Sequence, residues 1–242
     1  VMTTRVASAE HVADNVIQLR LVKPEGFTWK TGEFARVGLK IEGDEVFRAY
    51  SIGSAPASET VDFYIANVTG GILSPKLNQI KTGDSVLIDT EVGGMLLADR
   101  LEAGGKDLWM FASGTGVSPF LAVLSDESIT SRFERLILVH GVRTWNETGY
   151  VSRLVKRSPK LTVVACVTRE KGAAVNERIP DALADGSLEK LAGITIEKEH
   201  SRVMLCGNPG MVKSVREAMK ARGIVSPRGG KPGQLLAENF WL

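Results

Sequence analysis

The sequence predicts two domains, an N-terminal antiparallel β-barrel followed by an α/β domain with a doubly wound parallel sheet. Three observations predict it. A chain of 242 residues is long enough for two ordinary domains. Up to about residue 98 it reads as short strands separated by glycine-bearing turns. Beyond the polar stretch Asp99-Arg100-Leu101-Glu102-Ala103-Gly104-Gly105-Lys106, apolar strand runs alternate with helical segments, the pattern of right-handed βαβ units. That stretch reads as the connection, so the domains are expected over 1–98 and 99–242.

In the first half, Val16 to Leu21 alternates as a half-buried strand should. The turn Thr31-Gly32-Glu33 leads into a strand from Phe34 to Leu39, and Glu42-Gly43-Asp44 into another from Val46 to Ile52. Strands over Val61 to Ala66 and Ser85 to Ile88 follow, with one short helix around Ser74 to Gln79 between them. In the second half, strands are expected at Leu108 to Ala112, Leu136 to Val139, Leu161 to Val167 and Val203 to Cys206. Helices are expected at Ser118 to Leu124, near Val151 to Lys156, and at Pro209 to Arg222, whose Met211, Val212, Val215 and Met219 share one face.

Composition narrows the function classes. With 43% hydrophobic and 24% charged residues, the chain has the make-up of a globular protein with a full core. A formal charge of +2 lacks the strongly basic footprint of a nucleic-acid binder. No apolar run approaches the ~20 residues of a membrane span, and the N-terminus lacks a secretory pattern. Cys166 and Cys206 each sit in an apolar run and are expected to be reduced and semi-buried. Without a CxxC pair or Cys/His cluster, no iron–sulfur centre, zinc or other metal is expected. A cytoplasmic, monomeric chain is the corresponding expectation.

Phe111-Ala112-Ser113-Gly114-Thr115-Gly116-Val117-Ser118-Pro119-Phe120 follows the first strand of the second domain. Glycines there let the backbone approach a pyrophosphate, and the free N–H groups of the next helix point at the anion. Ser118 suits an N-cap and Pro119 the first helical position. Alone, this is equally a tight strand-to-helix turn. Cys206-Gly207-Asn208-Pro209 repeats the architecture at a later strand end, which places both turns on the rim where open parallel sheets bind ligands. Between them lie Arg143, Arg169 and Arg178, the first two directly after strand runs. A guanidinium donates two parallel hydrogen bonds to a phosphate monoester, so arginines converging there suggest a 2′-phosphate site, hence NADP over NAD.

Arg48-Ala49-Tyr50-Ser51 ends a strand, with Arg48 and Tyr50 on one face. Gly70-Gly71-Ile72-Leu73-Ser74-Pro75-Lys76-Leu77 is a glycine turn opening a short helix, a second candidate phosphate site. Together with Thr168-Arg169-Glu170 and the tail Ala237-Glu238-Asn239-Phe240-Trp241, these ordered motifs resemble the bacterial branch of the ferredoxin–NADP reductase family, from about Phe34 to the end of the chain.

The resemblance implies a barrel that binds FAD and a second domain that binds NADP(H), with ferredoxin or flavodoxin as electron partner. It implies FAD contacts from Phe34, Arg48, Ala49, Tyr50, Ser51, Ile65, Ala66, Asn67, Ile72, Leu73, Ser74 and Thr115. Arg48 would pair with the pyrophosphate, Tyr50 would lie on one face of the isoalloxazine, and Ser51 would sit near its N5. NADP would meet Gly114, Thr115, Gly116, Val142, Arg143, Thr168, Arg169, Arg178, Gly207, Asn208 and Pro209. Phe240 would stack on the other flavin face as a gate that nicotinamide displaces, and Trp241 would cover the adenine, with Leu242 one residue beyond the pattern. Ser51 and Glu238 would relay a proton, and Cys206 would contact the nicotinamide. Two other classes share the architecture: the reductase component of an oxygenase or a free-flavin reductase, and a non-catalytic nucleotide-binding flavoprotein subunit.

Overall fold

The computed structural model describes residues 1–155 and 158–239, with the main chain alone at 154 and 155. Its first half is one antiparallel sheet of β1 (Met2–Ala13), β2 (Val16–Val22), β3 (Phe34–Ile41), β4 (Asp44–Ser51), β5 (Thr60–Ala66) and β6 (Ser85–Gly93), in the order β4-β3-β6-β1-β2-β5. The first residues of β1 pair with β6 and the rest with β2, with a register shift between Val6 and Ser8. A bulge bends a strand, which lets β1 serve both halves of a curled sheet. The outer strands β4 and β5 meet where the Gly53 N–H donates to the Asp62 carbonyl at 2.7 Å. Ile17, Leu19, Leu21, Val37, Phe63, Ile65 and Ile88 fill the interior. The β3–β4 hairpin turns through Glu42 at φ 52° and Gly43 at φ 97°, the two left-handed positions that match the twist of its strands. The short helix α1 (Ser74–Leu77) lies between β5 and β6.

The second half is a parallel sheet of β7 (Asp107–Ser113), β8 (Arg135–Val142), β9 (Leu161–Val167), β10 (Ser201–Gly207) and β11 (Leu235–Asn239), ordered β11-β10-β7-β8-β9. Alternation along β7 divides two cores. Trp109 and Phe111 face the layer of α5 (Ile179–Ala184), α6 (Ser187–Ala192) and α7 (Pro209–Ala221). Leu108, Met110 and Ala112 face Phe120, Val123 and Tyr150 on the side of α2 (Ser118–Ser125), α3 (Glu127–Thr130) and α4 (Gly149–Val155). The chain runs one way from β7 to β8 and the other way to β10, so the strand order reverses between β7 and β10. Ligands bind at such a switch point.

Every expected strand is present, most of them longer than expected; β1, β11, α3, α5 and α6 are additional. Two local expectations are corrected. Ser118 does not cap α2: a short 3-10 turn over Gly114–Val117 starts the coil early, Val117 is the cap, and Pro119 is the second helical residue. The Ser118 hydroxyl instead donates to the Ser51 carbonyl of the barrel at 3.0 Å. The cysteines are not semi-buried but fully buried, at 0% exposure for Cys166 and 1% for Cys206, because both lie in central strands covered on two faces. The stretch after Asp99 is polar yet fastened: Glu102 N–H donates to Gly233 O at 2.8 Å, and the buried Arg202 donates to the carbonyls of Glu102 and Ala103.

Candidate active site

At the switch point the ends of β7 and β10 touch. A Cβ at Gly116 would collide with the Cys206 carbonyl, and one at Gly207, where φ is +141°, with the Ser113 hydroxyl. Glycine is therefore required at both positions. The Ser113 hydroxyl accepts the Asn208 N–H at 2.8 Å. Asn208 caps α7, its side-chain oxygen accepting from Gly210 and Met211 at 2.8 and 3.3 Å.

A cavity of about 870 Å³ opens over this rim, within the range of nucleotide and cofactor sites. Gly114, Thr115, Val142, Thr168, Asn208 and Pro209 contribute to its wall, as do Arg143, Arg169 and Arg178. The three arginines, spread over 36 positions of sequence, thus face one space. Main-chain bonds lock the turns of Arg143 and Arg169 together, from Thr168 N–H to Val142 O at 3.1 Å and from Arg169 N–H to Arg143 O at 2.9 Å. Sequence reasoning missed Glu147. Its carboxylate accepts the N–H groups of Arg143 and Thr144 at 2.9 and 3.1 Å and pairs with the Arg143 guanidinium at 3.6 Å. The capping-box spacing of Thr144 and Glu147 was a readable signal for it.

His140 was also missed. It lies under the glycine turn, 1% exposed, with Nε2 2.9 Å from the Gly114 carbonyl. A carbonyl only accepts, so Nε2 carries the hydrogen; Nδ1 has no partner among the described residues. Burial holds this imidazole down at about 4, against the opposing pull of the Gly114 bond. A lone histidine in an apolar strand gives no signal that separates such a role from ordinary core packing.

On the barrel, Arg48 is exposed and donates to the Phe47 carbonyl at 2.7 Å; no carboxylate pairs with it among the described residues. Ala49 is exposed beside it. Tyr50 is half-buried, and burial pushes its hydroxyl up to about 12 while Arg48 opposes. Phe34 pairs in register with both Ser51 and Gly93. The N–H groups of Ile72, Leu73 and Ser74 take no partner among the described residues, while the Ser74 hydroxyl accepts Val68 N–H at 3.0 Å. An unpaired guanidinium and a row of free N–H groups on one domain suit a phosphate-bearing ligand. The Ile65 and Leu73 side chains point into the barrel core and are not open to a ligand, and the Ile65 carbonyl accepts from the Asn78 amide at 3.5 Å. The Asn67 N–H is taken by Asn15 O at 2.8 Å.

Ser51, Cys206 and Glu238 come together where barrel and sheet meet. Cys206 and Glu238 are partners in the β10–β11 ladder. Burial raises the Cys206 thiol far above its ordinary value, Glu238 adds to this, and a bond with the Ser51 side chain opposes it. Cys206 is therefore a neutral thiol rather than a nucleophilic thiolate. Glu238 accepts the Met95 N–H at 2.8 Å, and burial raises its carboxyl against that bond. Phe240 and Trp241, expected as flavin and adenine covers, lie outside the described residues, as does the end of the helix expected at Lys156.

Comparison with known proteins agrees with this geometry. The oxidoreductase FAD-binding domain family matches residues 3–95 and the oxidoreductase NAD-binding domain family residues 110–217. A ferredoxin–NADP reductase of Pseudomonas aeruginosa is 33% identical, covering 99% of this chain and 97% of its own. A flavodoxin/ferredoxin–NADP reductase of Escherichia coli is 34% identical, over 99% and 98% of the two chains. The crystal structure of a ferredoxin–NADP+ reductase from Neisseria gonorrhoeae with bound FAD and NADP superposes with a TM-score of 0.92 at 30% identity, covering 98% of both chains. Relatives at this identity over nearly the full length of both chains show that the chain belongs to the ferredoxin–NADP reductase family.

Proposed function

We propose that the chain is an FAD-dependent reductase that passes hydride between NADP(H) and flavin, and single electrons between flavin and a ferredoxin or flavodoxin. The observation that carries this reading is the convergence of Ser51, Cys206 and Glu238, from two different sheets, beside a cavity walled by Arg143, Arg169 and Arg178. FAD, when bound, supplies the exchange between electron pairs and single electrons. The protein supplies position and field. Arg48 and the free N–H groups of Ile72 to Ser74 hold the flavin diphosphate, with Phe34, Ala49, Ile65, Ala66 and Asn67 along the same groove and Tyr50 against the ring. Gly114, Thr115, Gly116, Gly207, Asn208 and Pro209 admit the nicotinamide nucleotide close to the sheet end, and the three arginines grip its 2′-phosphate. Ser51 and Glu238 hold the proton that accompanies hydride at the ring nitrogen, and the neutral Cys206 thiol packs beside the nicotinamide. Phe240 and Trp241 cover the ring and the adenine in this reading. The domains divide at residues 98 and 99, and the chain works as a cytoplasmic monomer.

The test is direct. Purified protein is expected to be yellow, to lose its visible flavin band on anaerobic addition of NADPH, and to reduce cytochrome c only when ferredoxin or flavodoxin is added. Colourless protein that does not take up FAD would sink the reading. Reduction of free flavin without any protein carrier would favour the flavin-reductase alternative.

A further inference from the structure

Glu177 stands directly before Arg178, and its side chain lies on the wall of the same cavity as Arg143, Arg169 and Arg178. Glu147 stands on that wall too, already paired with Arg143. The charged side chains facing the nucleotide are therefore mixed. Each of the three arginines has an acid beside it, Glu170 and Glu177 as chain neighbours of Arg169 and Arg178 and Glu147 as the ion-pair partner of Arg143, and of the two chain neighbours only Glu177 lines the cavity.

Resting on the proposed NADP(H) reading, we infer that Glu177 is a specificity-determining residue whose carboxylate opposes the 2′-phosphate and narrows the preference for NADPH over NADH. A phosphate monoester carries close to two negative charges, and a 2′-hydroxyl carries none. A carboxylate on the same wall therefore raises the free energy of one ligand and leaves the other almost untouched. Two further acids stand close by, on and just beyond α5: after burial, Asp185, which shares a side-chain hydrogen bond with Glu177, and then Asp181 hold the Glu177 carboxyl above its ordinary range. Neither Arg169 nor Arg178 has an ion-pair partner among the described residues, so both guanidinium groups are left to attract the phosphate.

The experiment is a comparison of NADPH and NADH binding to the FAD-loaded protein, as the wild type and as Glu177→Gln and Glu177→Ala. Glu25→Gln, an exposed acid on the barrel, controls for net charge. Both Glu177 variants are expected to bind NADPH about three- to tenfold more tightly, the scale of one unit charge removed at a short, partly solvated separation. NADH should stay within about twofold, and the gain should shrink at high salt. An unchanged NADPH affinity, an equal change for both nucleotides, or the same gain in Glu25→Gln would overturn the inference while leaving the reductase reading standing. A wild-type protein that binds neither nucleotide would overturn the cavity assignment and the inference with it.

Discussion

Replacing His140 with glutamine should flatten the acid side of the stability profile. In the native protein the imidazole takes its proton only near pH 4, against about 6.5 for the free group, because burial excludes the cation and the bond to Gly114 only partly offsets this. Between those values the unfolded chain binds more protons than the native one, so stability falls as pH falls. Stability from this group is fully present above about pH 6.5. Roughly 2 kcal/mol of it is lost by pH 5, and about 3 kcal/mol once the native imidazole is also charged. Other groups act in the opposite sense. Glu238 and Asp62 have carboxyls raised chiefly by burial, and they add stability as pH falls. His200, raised by Asp107 2.6 Å away, has its contribution in place below about 6.5 and loses it only as pH rises through its native value. The difference between wild type and His140→Gln cancels these shared contributions. The glutamine amide keeps a donor for the Gly114 carbonyl. Urea unfolding at pH 7.5 and pH 5 should show the variant losing roughly 2 kcal/mol less than the wild type across that interval. Parallel pH profiles would refute the assignment of His140 as a neutral buried prop of the glycine turn.

Replacing Arg169 and Arg178 together with alanine should weaken NADPH by about two to four orders of magnitude, since each charged hydrogen bond contributes roughly 1.5–3 kcal/mol. NADH should change about threefold or less, and equal losses for both would reject the 2′-phosphate assignment. Gly116→Ala forces a methyl group onto the Cys206 carbonyl, so thermal unfolding should reveal a loss of about 1–3 kcal/mol or more. An unchanged melting temperature would show that the rim is looser than its packing implies. Neither Cys166 nor Cys206 should react with a thiol reagent until the protein is unfolded, as both are fully buried and have raised thiol values, about 12 for Cys166. Rapid labelling of the native protein would contradict the two-sided covering of β9 and β10.

What could be read in the sequence was local. The β3–β4 hairpin announces itself through Glu42-Gly43, and the rim through Gly114-Thr115-Gly116 and Gly207-Asn208-Pro209, because backbone geometry there restricts residue type. Strand β1 escaped because its inward face is built from Thr4 and Val6 among charged and small residues. Thr4 is buried only because its hydroxyl donates to the Val22 carbonyl at 2.6 Å. The meeting of Cys206 with Glu238 depends on β11 returning beside β10, and that of Ser118 with Ser51 on how the domains dock. No periodicity or spacing encodes either. Arg143 and Arg169 were legible as residues placed after strand ends, and Glu147 carried a signal in its capping-box spacing from Thr144, but Glu177 carried none. An acid beside an arginine usually reads as a solvated pair.

The site's location at a domain boundary raises the question of what holds it in register, and the contacts give a consistent answer. Several of the segments that carry a reactive or gripping residue also carry a bond to the opposite domain. The end of β4 supplies Ser51, and its carbonyl takes the Ser118 hydroxyl from the start of α2. Strand β11 supplies Glu238, which takes the N–H of Met95 just beyond β6. The loop after Arg143 carries Asn146, whose side-chain oxygen accepts the Asp14 N–H of the β1–β2 turn at 2.6 Å. Tyr64 of β5 stacks on Tyr150 of α4 with ring centroids 5.3 Å apart, and Tyr150 in turn abuts His140 beneath the glycine turn. Thr31 and Asp126 close a further point at 2.5 Å. These bonds are directional, where an apolar interface would tolerate sliding. Hydride transfer needs donor and acceptor within roughly 3–3.5 Å, a tolerance that packed side chains alone do not set. Fastening the ends of β4 and β11 and the loop after Arg143 across the boundary lets one domain hold the flavin and the other the nicotinamide without losing that distance.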